Sequence, residues 1–512
     1  MLDFKRKVMK NILLTIAALS MLIYSGCKLE DNPTNAVTTE SLTTTSDGLL
    51  NAVNGAYALF KDHGPFEGTT DLNNMYLRHY YQLSDFASDD VLCGQVTTDP
   101  LFLSFSLDHT PTQQNTGYFW YISYKIISDA NTVIEQGEKQ ANPTAAQQQL
   151  IGECYFLRAF CHFNLVRLFA KPYSVDPTAP GIILRTSTSD KPQKARSSVK
   201  DVYTQVIADA TKAATLMTQP RGVQYASKEA AWALLSRVAL YQEDNQNAIN
   251  FANMVINSGR FTESSASAFK TLFANSPANP ETIFGIAFTP LEDYGKEGSI
   301  ASQYYSDGNS GWGEEYASSP LRALYAKHPE DVRASYIVPL KDDGGVVQQK
   351  NGIDIYYVTK FSFQGGSPSL ASPVMFRLSE MYLNKAEAEA KLSQTAAALN
   401  DVDMIRKNRG LEGSLYNGVV PAGQTALSTV LLERRLELAF EGHRTYDVYR
   451  NKLDMNRTYW GYHLPGLKES DINLSVDPAN YAGMIIPYTS TKIIYYIPEA
   501  EILSNGLATQ NP

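Results

Sequence analysis

The chain has 512 residues with 44 Lys and Arg against 53 Asp and Glu, a formal charge of −9. That balance offers no basic surface for neutralising phosphates and argues against a nucleic-acid partner. Its length exceeds the usual size of one hydrophobic core, so several domains or one extended helical assembly is expected. Charged side chains are only 19% and aromatics 11%, with 31 tyrosines, rings whose apolar face and polar tip suit interfaces and sugar contacts as well as cores.

At the amino end, Lys5, Arg6, Lys7 and Lys10 precede an apolar run from Ile12 to Tyr24, and Ser25-Gly26 lead into Cys27. A basic, greasy, small-residue order reads as an export signal over residues 1–26, and the run is too short to span a bilayer. With a cysteine at the cleavage point, the pattern resembles a bacterial lipoprotein signal, in which Cys27 becomes the acylated first residue. Tyr24 stands where a small aliphatic residue is usual. Lys28-Leu29-Glu30-Asp31 resembles the surface-export signal of Bacteroidetes lipoproteins, which implies an outer-membrane, lipid-anchored body facing the extracellular side. The alternative is ordinary secretion with a free Cys27. Residues 27–44, rich in Thr, Asn and Pro, suit a tether or amino-terminal strap.

From residue 45 to 512 helical periodicity dominates. Leu49, Leu50, Val53, Tyr57 and Phe60 form one stripe, and Trp120, Tyr124, Ile127, Asn131 and Ile134 another. A long helix is predicted over Ala145–Phe169, ended by Lys171-Pro172, and a further one capped by Ser197-Ser198 running through Met217. Cys154 and Cys161, about 10 Å apart along that long helix, lie too far apart to bridge and are expected, with Cys93, as buried thiols. His162 has no second ligand pair at zinc spacing, so no metal and no cofactor is expected. Trp232 to Gly259 and Met381 to Gly410 share a helix-turn-helix pattern in which Ala239 precedes Ala248, and Ala388 precedes Ala397, at the same interval. Small residues there let helices approach closely, the logic of tetratricopeptide repeats, and the two copies read as scattered hairpins of one mainly α scaffold. Between them an inserted loop-rich region, about 259–372, carries strand-like runs at Thr282–Phe288 and Ile353–Phe363. Tyr495-Tyr496-Ile497-Pro498 near the carboxyl end reads as a short strand and a turn.

Several blocks resemble the SusD/RagB-like outer-membrane nutrient-binding lipoproteins. Asp31-Asn32-Pro33 and Asn54-Gly55-Ala56-Tyr57 resemble that family's amino-terminal signature, and Phe156-Leu157-Arg158-Ala159-Phe160 its long helix. Phe376-Arg377-Leu378-Ser379-Glu380-Met381-Tyr382-Leu383, Ile405-Arg406-Lys407-Asn408-Arg409, Glu433-Arg434-Arg435 and Glu441-Gly442-His443-Arg444 follow in the family's order. The resemblance implies a helical fold of tetratricopeptide-like hairpins with long loops and a few short strands. It also implies binding of a glycan or oligosaccharide, and delivery to a SusC-like TonB-dependent transporter.

The charged block has its own reading. Arg377 and Glu380, and Glu437 and Glu441, fall at helical spacing, with Arg406, Arg409, Arg434 and Arg444 available to pair, so buried ion pairs locking helices in register are expected rather than catalysis. A sugar receptor needs exposed rings beside planar polar groups. The best stretch is Tyr304–Tyr316, with Trp312 among glycines and Tyr305, Asp307, Asn309 and Tyr316 around it; the alternative for Trp312 is packing under a loop or at the transporter interface. A second stretch, read as a loop over Phe66–Tyr81, offers Asn73, Tyr76, Arg78 and Tyr80, close to the acidic Asp85, Asp89 and Asp90. Trp120 and Trp232 are expected in the core, and Trp460 either at the surface or at a partner.

An enzyme is not expected. A surface glycoside hydrolase would draw on Asp89-Asp90 or Glu314-Glu315, but consecutive side chains diverge, whereas catalytic carboxyls face one another across a sugar. Nucleophile elbow, zinc and phosphate-loop motifs are missing. The remaining alternative is a helical-repeat outer-membrane scaffold without a small ligand.

Overall fold

The computed structural model describes residues 47–68, 71–464 and 466–512; the export signal expected over 1–26, Cys27 and the strap expected over 27–44 lie outside the described residues. The scaffold helices are α1 (Gly48–Ala58), α2 (Tyr76–Asp85), α3 (Gln114–Glu138), α4 (Ala145–Phe169), α5 (Val199–Leu216), α6 (Lys228–Tyr241) and α7 (Asn245–Ile256). Beyond a long insertion come α8 (Leu378–Lys391), α9 (Thr395–Arg406), α10 (Ala426–Glu437), α11 (Arg444–Arg450) and α12 (Glu499–Ser504). The fold is mainly α, as expected.

Helix α4 shows why these boundaries form. Thr144 Oγ1 accepts from Gln147 N at 3.2 Å while Gln147 Oε1 accepts from Thr144 N at 2.9 Å, a reciprocal cap that satisfies two otherwise orphaned donors. The helix ends where Ala170 turns extended ahead of Lys171-Pro172. From Gln149 to Phe169 every residue is buried, so polar side chains need internal partners: Arg158 donates from Nε and Nη2 to both oxygens of Asp209, at 2.8 and 2.6 Å. Ser198 caps α5 by accepting from Asp201 N at 3.1 Å.

From α3 to α10 each helix packs on the next, including α7 on α8 across the insertion. The two hairpins are therefore neighbours, not scattered units. Ala239, Leu240, Ala248 and Ile249 of the first share an apolar cluster with Ala388 of the second. Both turns use a left-handed residue, Glu243 and Ser393, each followed by a backbone bond five residues back: Asp244 N to Ala239 O at 2.9 Å and Gln394 N to Glu389 O at 2.8 Å. Matching these turns aligns Ala248 with the buried Ala398, while Ala397 is exposed. The sequence register of the second hairpin is thus corrected by one residue.

The insertion is laid on this stack as small antiparallel pairs. Thr282–Gly285 pairs with Val374–Arg377, Val91–Cys93 with Glu315–Ala317, and Ile337–Pro339 with Tyr356–Val358. Two readings are corrected. The Phe66–Tyr81 stretch is a loop only in its first part, because α2 begins at Tyr76 and buries all its residues. The Tyr495–Pro498 run is no strand: Gln510 clamps the Ile497 backbone from both sides at 2.7 Å, and α12 follows. Cys93, Cys154 and Cys161 are buried free thiols. Trp120 is buried, Trp232 half-buried, and Trp460 packs within the chain, its Nε1 donating to Val476 O at 3.0 Å. Among the described residues no helix is long and apolar enough to cross a membrane.

The charged block is a buried ion-pair network. Arg377 meets Glu281, Glu437 and Glu441; Arg409 meets Glu263, Glu281 and Glu437; Arg406 and Arg333 share Glu433; Arg333 also meets Asp331, and Lys360 meets Glu441. Two details differ from the sequence reading. Glu380 pairs not with Arg377 but with Arg237, whose Nε and Nη2 each donate at 2.6 Å. Glu437 and Glu441 do not share a helical face, because α10 ends at Glu437 and Phe440 turns left-handed, yet both still reach Arg377. Arg444 pairs with Asp89 through two bonds at 2.7 and 2.9 Å.

Fully ionised, this network would set five cations (Arg333, Lys360, Arg377, Arg406, Arg409) against six carboxylates (Glu263, Glu281, Asp331, Glu433, Glu437, Glu441). Burial, then the neighbouring Glu281 charge, pushes Glu263 up to about 8, so at neutral pH it keeps its proton and the set is balanced. Burial acts upward on Glu437 as well, but Arg409, Arg377 and Arg333 outweigh it and hold that carboxyl well below the usual range.

Candidate functional site

The segment 290–317 is a string of short turns that ends in the strand Glu315–Ala317. Its outer limb is zipped to its inner limb by backbone bonds: Trp312 N and Gly313 N donate to Ser302 O at 2.7 and 3.0 Å, and Glu314 N to Gln303 O at 2.9 Å. Close approach here demands glycine. A Cβ on Gly311 would lie 2.0 Å from Tyr305 O, and one on Gly313, whose φ is +57°, would lie 2.8 Å from both Ser306 Cβ and the Tyr357 ring. The outcome is an indole at Trp312 that is 47% exposed. Packing of Trp312 under a loop does not occur.

Lys296 sits over this ring, its Nζ 4.0 Å from the centroid, a cation–π contact that orients the indole. Asp307 shapes the loop tip: its Oδ1 accepts from Asn309 N at 2.9 Å and Ser310 N at 2.8 Å, and its Oδ2 from Ser310 Oγ at 2.7 Å. These bonds, the Ser310 hydroxyl foremost, hold the exposed carboxyl at about 2. Asn309 is exposed beside it. Tyr305 is half-buried and meets Tyr357 and Phe363 edge-on, with centroids 5.5 and 5.2 Å away. Phe363 is itself 41% exposed, at a left-handed position before Gly365-Gly366. Sequence reasoning missed Lys296 and Phe363; the paired glycines after Phe363 were the available signal for a ring carried on a turn.

The other candidates are corrected. Tyr316 is 2% exposed, paired opposite Leu92 with its ring against Gly94, where a Cβ would lie 2.4 Å from Tyr316 Cε2. Tyr76 and Tyr80 are buried among rings of α4 and α3, and Asn164 Nδ2 donates to Tyr76 Oη at 3.0 Å. Arg78 is buried against Asp99 at 3.0 Å and donates to Asn73 O at 3.0 Å; Asn73 is half-buried. These bonds pair the Tyr76 hydroxyl and the Arg78 guanidinium inside the protein, as burial of α2 on every side favours. Asp85 accepts from Gly442 N at 3.1 Å, and burial pushes its carboxyl well up. Asp89 and Asp90 are tied to Arg444 and Arg435. Burial pushes Glu315 well up as well, so neither adjacent carboxyl pair stands open across a cleft. Among the described residues no group of His, Cys, Asp and Glu gathers as metal ligands.

Of the sequence candidates, then, the structure brings Trp312, Tyr305, Asp307 and Asn309 together on one loop and removes Tyr316, Tyr76, Tyr80 and Arg78 to the core. The arrangement offers an oriented ring face beside a cation, with polar side chains on the same loop. It can stack an apolar C–H face and hydrogen-bond hydroxyls, and it presents no acid–base pair across a gap.

Comparison with known proteins is consistent across three routes. Residues 39–240 match a family described as starch-binding and associating with the outer membrane, and residues 334–512 match the SusD family. SusD-like protein P38 of Formosa agariphila is 25% identical over 491 residues, covering 87% of this chain and 92% of that protein. SusD-like protein P2 of the same organism is 26% identical over 486 residues, covering 87% and 91%. Among solved structures, a SusD superfamily protein from Bacteroides thetaiotaomicron superposes with a TM-score of 0.78 at 26% identity, over 91% of this chain and 99% of the other. A protein assigned to sugar binding from Bacteroides vulgatus superposes with a TM-score of 0.75 at 25% identity, over 91% and 98%.

Proposed function

The chain belongs to the SusD family, and from that premise we propose that it captures a glycan or oligosaccharide at the cell surface and hands it to a SusC-like TonB-dependent transporter. The observation that carries the reading is the Trp312 indole, 47% exposed between two glycines at which a Cβ would clash with the loop. A ring that size gains by covering its face, and a sugar's C–H face is a matching surface. Anchoring through acylated Cys27 at the outer membrane, with the body on the extracellular side, belongs to the same proposal. It draws support from the lipoprotein-type signal in the sequence and from the outer-membrane association in the matched family's description.

The function is binding, without bond cleavage. The carboxyl pairs a hydrolase would use are committed elsewhere, Asp89 and Asp90 to arginines and Glu315 to the interior. A scaffold without a small ligand would use Trp312 at the transporter interface instead, and such a chain would retain no glycan. The deciding experiment is a glycan array probed with the wild-type protein and with Trp312→Ala. Specific retention that the variant weakens supports a receptor acting through Trp312; equal retention by both moves binding away from Trp312, and none by either overturns the receptor. Turnover of labelled oligosaccharides would overturn the absence of catalysis.

A further inference from the structure

Away from the Trp312 loop, a groove of about 710 Å³ runs between α3, the strap 183–192 and α12. Its floor is one face of α3. Gly117, Trp120, Tyr121, Tyr124, Ser128 and Asn131 recur at three- and four-residue spacing, so the groove follows the helix axis for about 21 Å at 1.5 Å per residue. None of its lining comes from the segment 290–317.

The walls are fixed before any ligand arrives. Tyr124 Oη donates to Ile183 O at 2.7 Å and Asn131 Nδ2 to Arg185 O at 3.3 Å, pinning the strap to the helix. The Glu135 carboxylate accepts from Ser187 Oγ at 2.7 Å and Thr188 N at 2.8 Å. On the far side Glu501 accepts from Trp120 Nε1 at 3.2 Å and from Asn505 Nδ2 at 2.9 Å, which leaves its carboxylate further acceptor capacity. Tyr121, 38% exposed, keeps its ring in water at the rim beside Phe66. Lys125 and Arg185 balance Asp190 and Glu501 along the lining, so the groove carries no net sign and favours a neutral ligand over an anionic one.

We propose that this groove is a second carbohydrate site, taking an extended neutral oligosaccharide along α3. Length, a stacking ring at the rim and planar polar side chains along both walls are what a chain of sugar rings requires, and the volume falls within the usual range of ligand sites. The inference rests on the receptor reading, yet the two sites are separable.

Hydrogen–deuterium exchange of the full chain, with and without maltohexaose, laminarihexaose, cellohexaose and xylohexaose, reads each site separately. At least one hexaose is expected to protect both 114–131 with 183–192 and 296–313. In the double variant Tyr121→Ala, Lys125→Ala, at exposed positions outside the core, protection of the groove segments is lost and their apparent affinity falls roughly tenfold, the loss of a stacking ring and a polar contact. Protection at 296–313 persists there. Protection of 296–313 alone overturns the groove and leaves the receptor reading standing. Protection of the groove alone sustains the second site and overturns the assignment of Trp312. Protection of neither overturns both.

Discussion

Arg377 and Glu441 face each other through two parallel hydrogen bonds, Nε to Oε2 at 2.8 Å and Nη2 to Oε1 at 2.9 Å, in the interior of the protein. Arg377 precedes the first residue of α8, and Glu441 stands in the turn after α10, so the pair fixes the end of the insertion against the carboxyl-terminal helices. Breaking one partner of such a buried pair leaves an uncompensated charge and costs about 3–5 kcal/mol. Glu441→Gln should therefore lower the urea midpoint clearly while the folded fraction retains glycan as the wild type does. Lost retention at an unchanged midpoint would place Glu441 in the binding site instead.

The network's surplus carboxyl gives stability a pH dependence. Glu263 is held at about 8 in the fold against an ordinary value of 4.5. Between those values the folded protein keeps a proton that the unfolded chain has released, so stability falls as pH rises from about 4.5 to about 8 and levels off above. Glu263→Gln, neutral at every pH, should flatten that part of the profile. Melting temperatures from pH 5 to 9 check it, and a wild type and variant that fall in parallel would refute the proton on Glu263.

Trp312 and Tyr316 stand four residues apart and should behave oppositely. Trp312→Ala removes an exposed ring, so melting should shift little while glycan retention falls. Tyr316→Ala opens a cavity against Gly94 and the Tyr357 ring, expected to cost about 3–5 kcal/mol as for other large buried rings. Calorimetry beside array binding separates the two.

Gly311→Ala tests the loop itself. The added methyl would sit 2.0 Å from the Tyr305 carbonyl oxygen, so the backbone must move and the zipper to Ser302 must loosen. Glycan retention should drop although Trp312 is intact, with a stability loss of about 1–3 kcal/mol. Full retention by this variant would show that the loop's geometry is irrelevant to binding.

Much of the scaffold was legible because its signals are local. The ends of α4 follow from the Thr144–Gln147 cap and Lys171-Pro172, and those of α5 from Ser198. Helix α2 was missed over much of its length because Arg78, His79, Gln82 and Ser84 are polar enough to suggest a loop, and they are buried only through partners distant in the chain, such as Asp99 for Arg78 and the Ile300 carbonyl for Gln82. The carboxylates of the ion-pair network were visible at helical spacing, but Arg333, Lys360 and Glu281 arrive from the insertion, and no local pattern announces a partner so far along the chain. At the candidate site, glycines around Trp312 were readable while the burial of Tyr316 was not, since it depends on pairing with Val91–Cys93.

The contact between Asn245–Ile256 and Leu378–Lys391 also makes the two halves of the chain depend on one another. Ala239, Leu240, Ala248 and Ile249 form an apolar cluster that Ala388 completes. A truncation ending before Leu378 would leave that edge uncapped, an exposed apolar surface of the kind that makes incomplete folds prone to aggregate.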